Sequence, residues 1–296
     1  MQVKRANLFI VGAMKAGTTS FVEMLQQHPE VYISPIKEPH YFINSLPKSL
    51  YEPSRFFELD SYFEKDFPKQ HHIAKIEKDE HYQKLFSLAG DEQKYRAEAS
   101  TAYLHAPESA SLIHEYNPEA KIIIITRDPL QRAFSHYKMD LGLGRTSKTF
   151  DELITREIEM YNNGSLFLFG YLGMSFYNDA IKRYHELFQN VLVIKFEDLI
   201  KEKEQVLERV SNFLEIDDFI NLEVSKVNVS KKLRFQKLFF VLKQLGLKDY
   251  FSKVFNQSFR QWLFNLFSSD KKQPLDLRPE TKEAILQIFT KKSGAV

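Results

Sequence analysis

A short apolar run that leads through glycines into a helical pattern constrains this chain more than any other feature. The run covers residues 7–12, and residues 12–20 then read GAMKAGTTS. Glycines let a backbone approach a ligand closely, and the free N–H groups of a helix N-terminus attract anions. Lys15 adds a full positive charge. Hydroxyl donors follow at Thr18, Thr19 and Ser20. The segment therefore predicts a phosphate-binding loop between a buried strand and a helix, although a hydroxyl here would also serve as a helix cap.

Strand and helix patterns alternate along the rest of the chain. The strongest strand pattern is 121–126, with four consecutive isoleucines. Further strands are predicted at 31–34, 94–100 and 190–196. Helices are predicted at 19–27, 54–67, 78–88, 108–116, 129–141, 150–161, 177–188 and 204–214. This alternation predicts a three-layer α/β fold in which helices flank a central parallel sheet. Ligands in such sheets bind at the carboxyl ends of strands, which directs attention to the residues after Gly12 and after Thr126.

Composition excludes several classes of protein. The chain has 296 residues and no cysteine, so disulfides, thiolate metal sites and thiol nucleophiles are absent. Its 41 basic and 39 acidic residues give a net charge of +2, which argues against a nucleic-acid-binding protein. No apolar run reaches the ~18–20 residues of a membrane span, and no signal peptide is recognisable. We expect one cytoplasmic domain over residues 1–296. The nine histidines show no metal-ligand spacing, so no metal is expected, and His71 and His72 are interpreted as a solvated pair.

The order of residues in the glycine loop (residues 12–20) differs from that of a nucleoside triphosphatase. In the Walker A pattern the lysine follows the second glycine, whereas Lys15 precedes Gly17. A Walker B aspartate is also expected at the end of an apolar strand, but strand 121–126 is followed by Arg127. An arginine suits an anion better than a metal ion. The alternative for Arg127 is a salt bridge with Asp128 at the start of the next helix.

Five blocks of sequence resemble sulfotransferases that use 3′-phosphoadenosine 5′-phosphosulfate (PAPS). KAGTTS at 15–20 is similar to their 5′-phosphosulfate loop, and ITRDPLQRAFSHY at 125–137 to their 3′-phosphate motif. KEPHYF at 37–42 and EASTAYL at 98–104 resemble the branch related to heparan-sulfate sulfotransferases and their bacterial relatives. FEDL at 196–199 resembles a further family block. The resemblance covers roughly residues 7–215 and implies a P-loop-like sulfotransferase fold.

The resemblance also implies roles for the residues of the two phosphate motifs. Lys15 would neutralise the charge that develops on the leaving phosphate. The 5′-phosphate would be held by the N–H groups and hydroxyls of Ala16, Gly17, Thr18, Thr19 and Ser20. The 3′-phosphate would be held by Arg127 and Ser135, since arginine suits bidentate contact with phosphate oxygens. The product would be adenosine 3′,5′-bisphosphate (PAP).

The acceptor must lose a proton, and three residues are candidates for the general base. Glu38 aligns with the glutamate given that role in the heparan-sulfate branch. His40 lies two residues further on, so an extended segment would turn both side chains into one cleft. The alternative for His40 is simple packing among its aromatic neighbours. Glu98 is the third candidate, with an ion pair as its alternative. Ala99 stands where the animal enzymes often carry a lysine, and here the chain agrees with the bacterial relatives.

Residues 231–262 form a basic, aromatic stretch with eight basic residues and one acidic residue. Phenylalanines and leucines at helical spacing predict an amphipathic helix. In the family a basic loop near here closes over the 3′-phosphate, which makes Arg234 a candidate contact and about 228–270 a candidate lid. Peripheral membrane contact, a partner surface and a core-facing helix remain alternatives. The family's C-terminal helix is expected to begin at residues 278–280.

The sequence therefore predicts transfer of a sulfuryl group from PAPS to a hydroxyl or amine of a small-molecule, glycolipid or carbohydrate acceptor. Two alternatives come from other classes. One is a P-loop kinase of small molecules, which would require Mg²⁺ and ATP. The other is a non-catalytic protein of the same fold that binds a nucleotide or anchors a partner.

Overall fold

The computed structural model describes residues 4–54, 57–219 and 274–293, together with two short strands at 232–233 and 268–269. The predicted lid and helix between 228 and 270, including Arg234, therefore lie outside the described residues. Lys232 and Leu233 are the exception, and they pair in an antiparallel strand with Ser268 and Ser269 rather than in a helix. The amphipathic helix predicted from residue 231 is therefore not formed at these two residues.

A five-stranded parallel sheet forms the centre of the molecule. In chain order the strands are β1 (Leu8–Gly12), β2 (Val31–Ile33), β3 (Ile36–Glu38), β4 (His71–Ile73), β5 (Tyr95–Ala99), β6 (Lys121–Thr126), β7 (Val191–Lys195), β8 (Lys232–Leu233) and β9 (Ser268–Ser269). The central sheet has the order β2-β5-β1-β6-β7, and a second, two-stranded parallel sheet pairs β3 with β4. The prediction of a central parallel sheet is confirmed, because apolar runs such as Ile122 to Ile125 need cover on both faces.

Helices flank the central sheet. They are α1 (Thr18–Leu25), α2 (Leu59–Ser61), α3 (Asp79–Lys84), α4 (Ser109–Tyr116), α5 (Pro129–Gly142), α6 (Phe150–Asn162), α7 (Asn178–Leu187), α8 (Phe196–Lys201), α9 (Lys203–Leu214) and α10 (Pro279–Ser293). Two of the predicted helices are shorter than expected. Segment 54–67 holds only α2 and a π-helical turn at Tyr62–Asp66, and segment 78–88 holds only α3. Outside these short turns the segments pack through aromatic rings, as where Phe57 stacks on His71 with ring centroids 4.2 Å apart.

Local capping explains where the longer helices begin. Asp128 accepts a hydrogen bond from the Gln131 N–H at 2.8 Å, and Pro129 occupies the first turn of α5, where its missing N–H costs nothing. Thr149 and Glu152 form a reciprocal capping box at the start of α6. Helix α10 packs through Ile285 and Phe289 onto α5 and α6. The C-terminal helix expected at residues 278–280 is therefore present.

The chain order of the strands creates a crevice above the middle of the sheet. β1 lies between β5 and β6, so the chain leaves β1 toward one edge and later crosses to the other side. At such a switch point the loops after neighbouring strands separate and leave room for a ligand. No helix within the described residues is long and apolar enough to cross a lipid bilayer.

Candidate functional site

A cavity of about 430 Å³ lies at this crevice. Its walls come from the glycine loop, the end of β3, the residues after β5 and β6, and α5. The sequence-predicted residues that line it are Lys15, Gly17, Thr18, Thr19, Ser20, Glu38, His40, Arg127 and Ser135. Residues from motifs more than 100 positions apart in the chain therefore meet in one cavity.

The glycine loop presents an uncapped helix N-terminus to the cavity. Gly17 is the N-cap of α1, and no side chain accepts a hydrogen bond there, so the alternative of a hydroxyl cap is wrong. Gly17 has a φ of 87°, and a Cβ at this position would lie 2.5 Å from the Phe196 ring. Only glycine fits both the left-handed backbone and this close approach. Lys15 also adopts a positive φ, 70°, a conformation that non-glycine residues seldom hold outside functional loops.

Ala16 is the member of the predicted phosphate-binding set that the structure places elsewhere. It is fully buried and does not line the cavity. Its N–H already donates to the Ala13 carbonyl at 3.1 Å. The prediction that the Ala16 N–H faces a phosphate is therefore corrected, because the turn of the loop uses this donor internally.

Arg127 follows β6 and contacts the glycine loop directly. Its guanidinium donates to the Lys15 carbonyl at 3.1 Å and lies 4.8 Å from the centre of the Phe196 ring. Asp128 caps α5, so Arg127 is available to the cavity rather than tied to a helix-start salt bridge. Ser135, two turns into α5, lines the same cavity.

Arg132, in the same sequence block, has a different environment. It is fully buried and does not reach the cavity. It donates to the Ser175 hydroxyl at 2.7 Å and to the Tyr171 carbonyl at 2.7 Å. Burial lowers the pKa of Arg132 to about 10, against the raising effects of Tyr177 and Glu157. This side chain therefore connects α5 to the 171–175 segment.

The cations around the glycine loop repel one another. Burial lowers the pKa of Lys15 below its ordinary value, and the nearby charges of Lys37 and Arg127 lower it further, while Glu38 raises it. A multiply charged anion would relieve this repulsion. The electrostatics of this end of the cavity therefore favour a phosphate- or sulfate-bearing ligand.

Glu38, at the end of β3, and His40, two residues further on, line the same cavity. Glu38 is 9% exposed; its Oε2 accepts from the Thr101 hydroxyl at 2.9 Å and lies 3.4 Å from His40 Nε2. His40 is 1% exposed, and its Nδ1 lies 3.2 Å from the Ala74 carbonyl. Glu38 and the Ala74 carbonyl are both acceptors, so a protonated ring nitrogen of His40 can donate to whichever of them it faces: Nε2 to Glu38 or Nδ1 to Ala74. His40 lines the cavity, as the sequence predicts, and its ring also packs edge-on against Tyr103, an aromatic residue from outside its own segment.

The surroundings of Glu38 keep its carboxylate ionised. Burial by itself would raise its pKa, but the hydrogen bond from His40, the charge of Lys37 and the Thr101 hydroxyl outweigh burial and lower the pKa to about 2. At neutral pH the side chain is therefore an ionised acceptor of hydrogen bonds. It lies in the same cavity as the cationic glycine loop.

Glu98 does not reach the cavity. It is 1% exposed and accepts hydrogen bonds from the Tyr82 hydroxyl and, at 2.8 Å, from the Ser100 hydroxyl. Ser100 in turn accepts from the His40 N–H at 3.1 Å. Among the residues that the structure describes, the partners of Glu98 are thus hydroxyls, which contradicts the alternative of an ion pair, and a direct role as base is not supported. Burial raises the pKa of Glu98.

Three cavity residues that contact the predicted site residues received no role from the sequence. Lys37 contacts Thr19 and Glu38, Thr101 contacts Glu38, and Phe196 covers Gly17 and Arg127. All three stand inside the quoted blocks at or next to strand ends, and that position was the available signal. Of the two histidines interpreted as a solvated pair, His72 is exposed and also lines the cavity, whereas His71 is half-buried and stacks on Phe57, which corrects the interpretation for His71. No group of three or more metal-ligating side chains occurs among the described residues.

The amino-acid sequence is similar to those of known sulfotransferases. Residues 7–220 match the profile of the sulfotransferase family. Mouse carbohydrate sulfotransferase 15 is 23% identical over 176 residues, which cover 53% of this chain and 31% of that protein. Mouse heparan sulfate glucosamine 3-O-sulfotransferase 5 is 29% identical over 142 residues, covering 48% and 33% of the two chains. The chain thus spans about a third of the length of these curated relatives.

Solved structures show the same fold. A sulfotransferase from Alicyclobacillus acidocaldarius superposes with a TM-score of 0.58 and 27% identity, covering 87% of this chain and all of the other. Mouse sulfotransferase SULT7A1 in complex with PAP superposes with a TM-score of 0.51 and 15% identity, covering 99% and 86%. Together with the match over residues 7–220, the arrangement of the cavity leads to one conclusion: this chain belongs to the sulfotransferase family.

Proposed function

We propose that this protein transfers a sulfuryl group from PAPS to a hydroxyl or amine of a small-molecule, glycolipid or carbohydrate acceptor. One observation carries the proposal. A single cavity holds the uncapped N-terminus of α1 with Lys15 and Arg127 at one part and the ionised Glu38 at another. An anionic donor and a nucleophile that must lose a proton need these two environments side by side.

The donor half of the cavity fits the two phosphates of PAPS. The N–H groups and hydroxyls of Thr18, Thr19 and Ser20 would hold the 5′-phosphate, since no side chain caps this helix. Arg127 and Ser135 would hold the 3′-phosphate. Ala16 is omitted because its N–H is used within the loop. Arg234 remains a predicted contact that lies outside the described residues.

The residues of the chain divide the chemistry between them. PAPS supplies an activated sulfuryl group whose leaving group is a phosphate. Lys15 stabilises the negative charge that develops on the phosphate oxygen as it leaves. Glu38 takes the proton of the acceptor, and His40 and Thr101 hold the carboxylate in place. His40, which lines the same cavity, stays the alternative base that the sequence predicts.

Two observations concern the class of acceptor. The names of relatives point to carbohydrates and to heparan sulfate glucosamine as acceptors of those proteins. Apolar side chains, among them Leu50, Met139 and Leu143, line the cavity as well, and these suit the apolar face of a sugar or of a lipid-like alcohol. Cytoplasmic location and membrane contact through residues 231–262 stay predictions.

Calorimetric titration tests the donor. We expect PAP to bind the wild-type protein without Mg²⁺, and Arg127→Ala to weaken binding about 10- to 100-fold, the ~1.5–3 kcal/mol of hydrogen bonds to a charged group. Lys138→Ala is the matched control, because Lys138 lies on α5, contacts Phe134 and does not line the cavity. Preferential binding of ATP with Mg²⁺, or equal binding by wild type and Arg127→Ala, would overturn the proposal and favour the kinase.

A further inference from the structure

Lys37 joins the two halves of the cavity. This central residue of β3 extends its ammonium group to the Thr19 hydroxyl at 2.8 Å and to Glu38 Oε1 at 3.3 Å. Its side chain is only 16% exposed and lines the cavity. The Thr19 hydroxyl and the Glu38 carboxylate are therefore within two hydrogen-bond lengths of each other, and the Lys37 ammonium group lies between them.

The other cations of the cavity have different partners from those of Lys37. Lys15 lies in the glycine loop, and Arg127 is held by the Lys15 carbonyl and the Phe196 ring. Arg145 pairs with Asp140 at 3.1 Å and donates to the Leu50 carbonyl. Within the described part of the chain, Lys37 is the cavity cation that contacts both the glycine loop and Glu38.

In-line transfer would place the sulfuryl group in the same space, between Thr19 and Glu38. If the 5′-phosphate is held at Thr18 to Ser20 and the acceptor oxygen is held by Glu38, the sulfuryl group lies between them. Reacting atoms in such arrangements approach to about 3–3.5 Å. The sulfuryl oxygens then come within reach of the Lys37 ammonium, which is already positioned by Thr19.

We propose that Lys37 is a catalytic residue of the transfer, and that its ammonium moves from the Glu38 carboxylate to the sulfuryl oxygens when the donor binds beside Thr19. The proposal rests on the proposed function. In the step itself the acceptor oxygen forms a bond to sulfur, and the bond from sulfur to the bridging phosphate oxygen breaks. That oxygen takes the electron pair, Glu38 takes the proton of the acceptor, and Lys37 stabilises the charge on the sulfuryl oxygens.

This movement also changes the base. In the free protein, the charge of Lys37 is one of the contacts that lower the pKa of Glu38. The groups that face Lys37 are Glu38 from the same strand, Lys15 from the glycine loop, His72 from β4 and, through Glu38, His40. When Lys37 turns to the donor, Glu38 loses one counter-charge and becomes a stronger base. Glu38 would thus gain basicity when the donor is in place.

The test compares Lys37→Met with Lys37→Arg in the full-length protein. Release of PAP from PAPS, with water as acceptor, gives the rate, and calorimetry gives the affinity for PAP. We expect Lys37→Met to lower the rate about 100-fold, as loss of a transition-state donor does, and Lys37→Arg to recover part of it. PAP carries no sulfuryl group, so its affinity should fall less than about fivefold. Lys75→Met is the control, because Lys75 is a half-buried lysine outside the cavity.

A pH profile separates this role from a structural one. Removal of the Lys37 charge should raise the pKa of Glu38 and move the acid limb of the rate to higher pH in Lys37→Met alone. A rate within threefold of wild type, or equal losses in rate and PAP affinity, would overturn the role of Lys37 and leave the sulfotransferase proposal standing. Failure of the wild-type protein to bind PAP would overturn both.

Discussion

Glu38 and Glu98 are two buried glutamates on strands β3 and β5, which contact each other. Glu38 meets Lys37, His40 and Thr101 and lines the cavity. Glu98 accepts hydrogen bonds from the Tyr82 and Ser100 hydroxyls and does not line the cavity. The pKa of Glu38 falls to about 2, whereas burial raises the pKa of Glu98. Burial of the two carboxylates is therefore accompanied by pKa shifts in opposite directions, because the partners of each carboxylate differ.

The two arginines of block 125–137 repeat this contrast. Arg127 lines the cavity beside Phe196, and Arg132 is enclosed by Ser175 and Tyr171. In both pairs one member faces the ligand space and the other supports the wall behind it. Contact with the cavity, more than residue type or position in a motif, separates the candidates for chemistry from those for structure. Three experiments test this separation.

The largest expected effect is that of Glu38→Gln. Loss of a general base lowers rates by about 10²- to 10⁴-fold, so release of PAP from PAPS should fall by that factor while PAP still binds. Chromatographic assay of PAP and calorimetry measure the two quantities. Glu98→Gln serves as the matched control. If Glu38→Gln retained the wild-type rate, the base would be His40 or another group, and the contrast between the glutamates would lose its functional meaning.

The second effect concerns pH and the affinity for PAP. Burial and the charges of Lys37 and Arg127 lower the pKa of Lys15 in the folded protein. The protonated amine binds the anion, so affinity should be highest below that pKa and should fall as pH rises through it, by at most about tenfold per pH unit. Titrations from pH 7 to 10 measure this decline. Lys15→Met should bind PAP weakly and without the decline; an identical decline in this variant would contradict the assignment.

The smallest effect is that of Glu98→Gln, whose rate should stay within about threefold of wild type and whose free energy of unfolding should change by about 1 kcal/mol.

The pH dependence of unfolding also distinguishes Glu38 from Glu98. Glu38, with a lowered folded pKa, contributes about 3 kcal/mol of stability above pH ~4.5 that is lost as pH falls toward 2. Glu98, with a raised folded pKa, favours folding at low pH and less so as pH rises.

Urea unfolding between pH 3 and 7 measures both slopes. Relative to wild type, Glu38→Gln should lose more stability at pH 7 than at pH 3, and Glu98→Gln should lose less at pH 7 than at pH 3. Slopes of the same sign in the two variants would show that the carboxylates share one environment.

Local patterns in the sequence determined the elements and the family. Strand 121–126 was predicted with the bounds that the structure has, and the strand, glycine loop and helix around residues 7–27 are present with small shifts at their ends. Their signals, such as four isoleucines in a row or glycines before a helix, depend on neighbours along the chain. The two phosphate motifs were likewise recognisable because each occupies consecutive residues.

Only the tertiary structure decided which side chains share the cavity. Thr101 reaches Glu38 across 63 positions, and Arg127 reaches the Lys15 carbonyl across 112. No local pattern encodes such contacts, so the burial of Ala16, the enclosure of Glu98 and the bridging position of Lys37 could not be predicted. Each depends on how strands distant in sequence lie side by side, since that packing fixes which partner a charge meets and therefore what it can do.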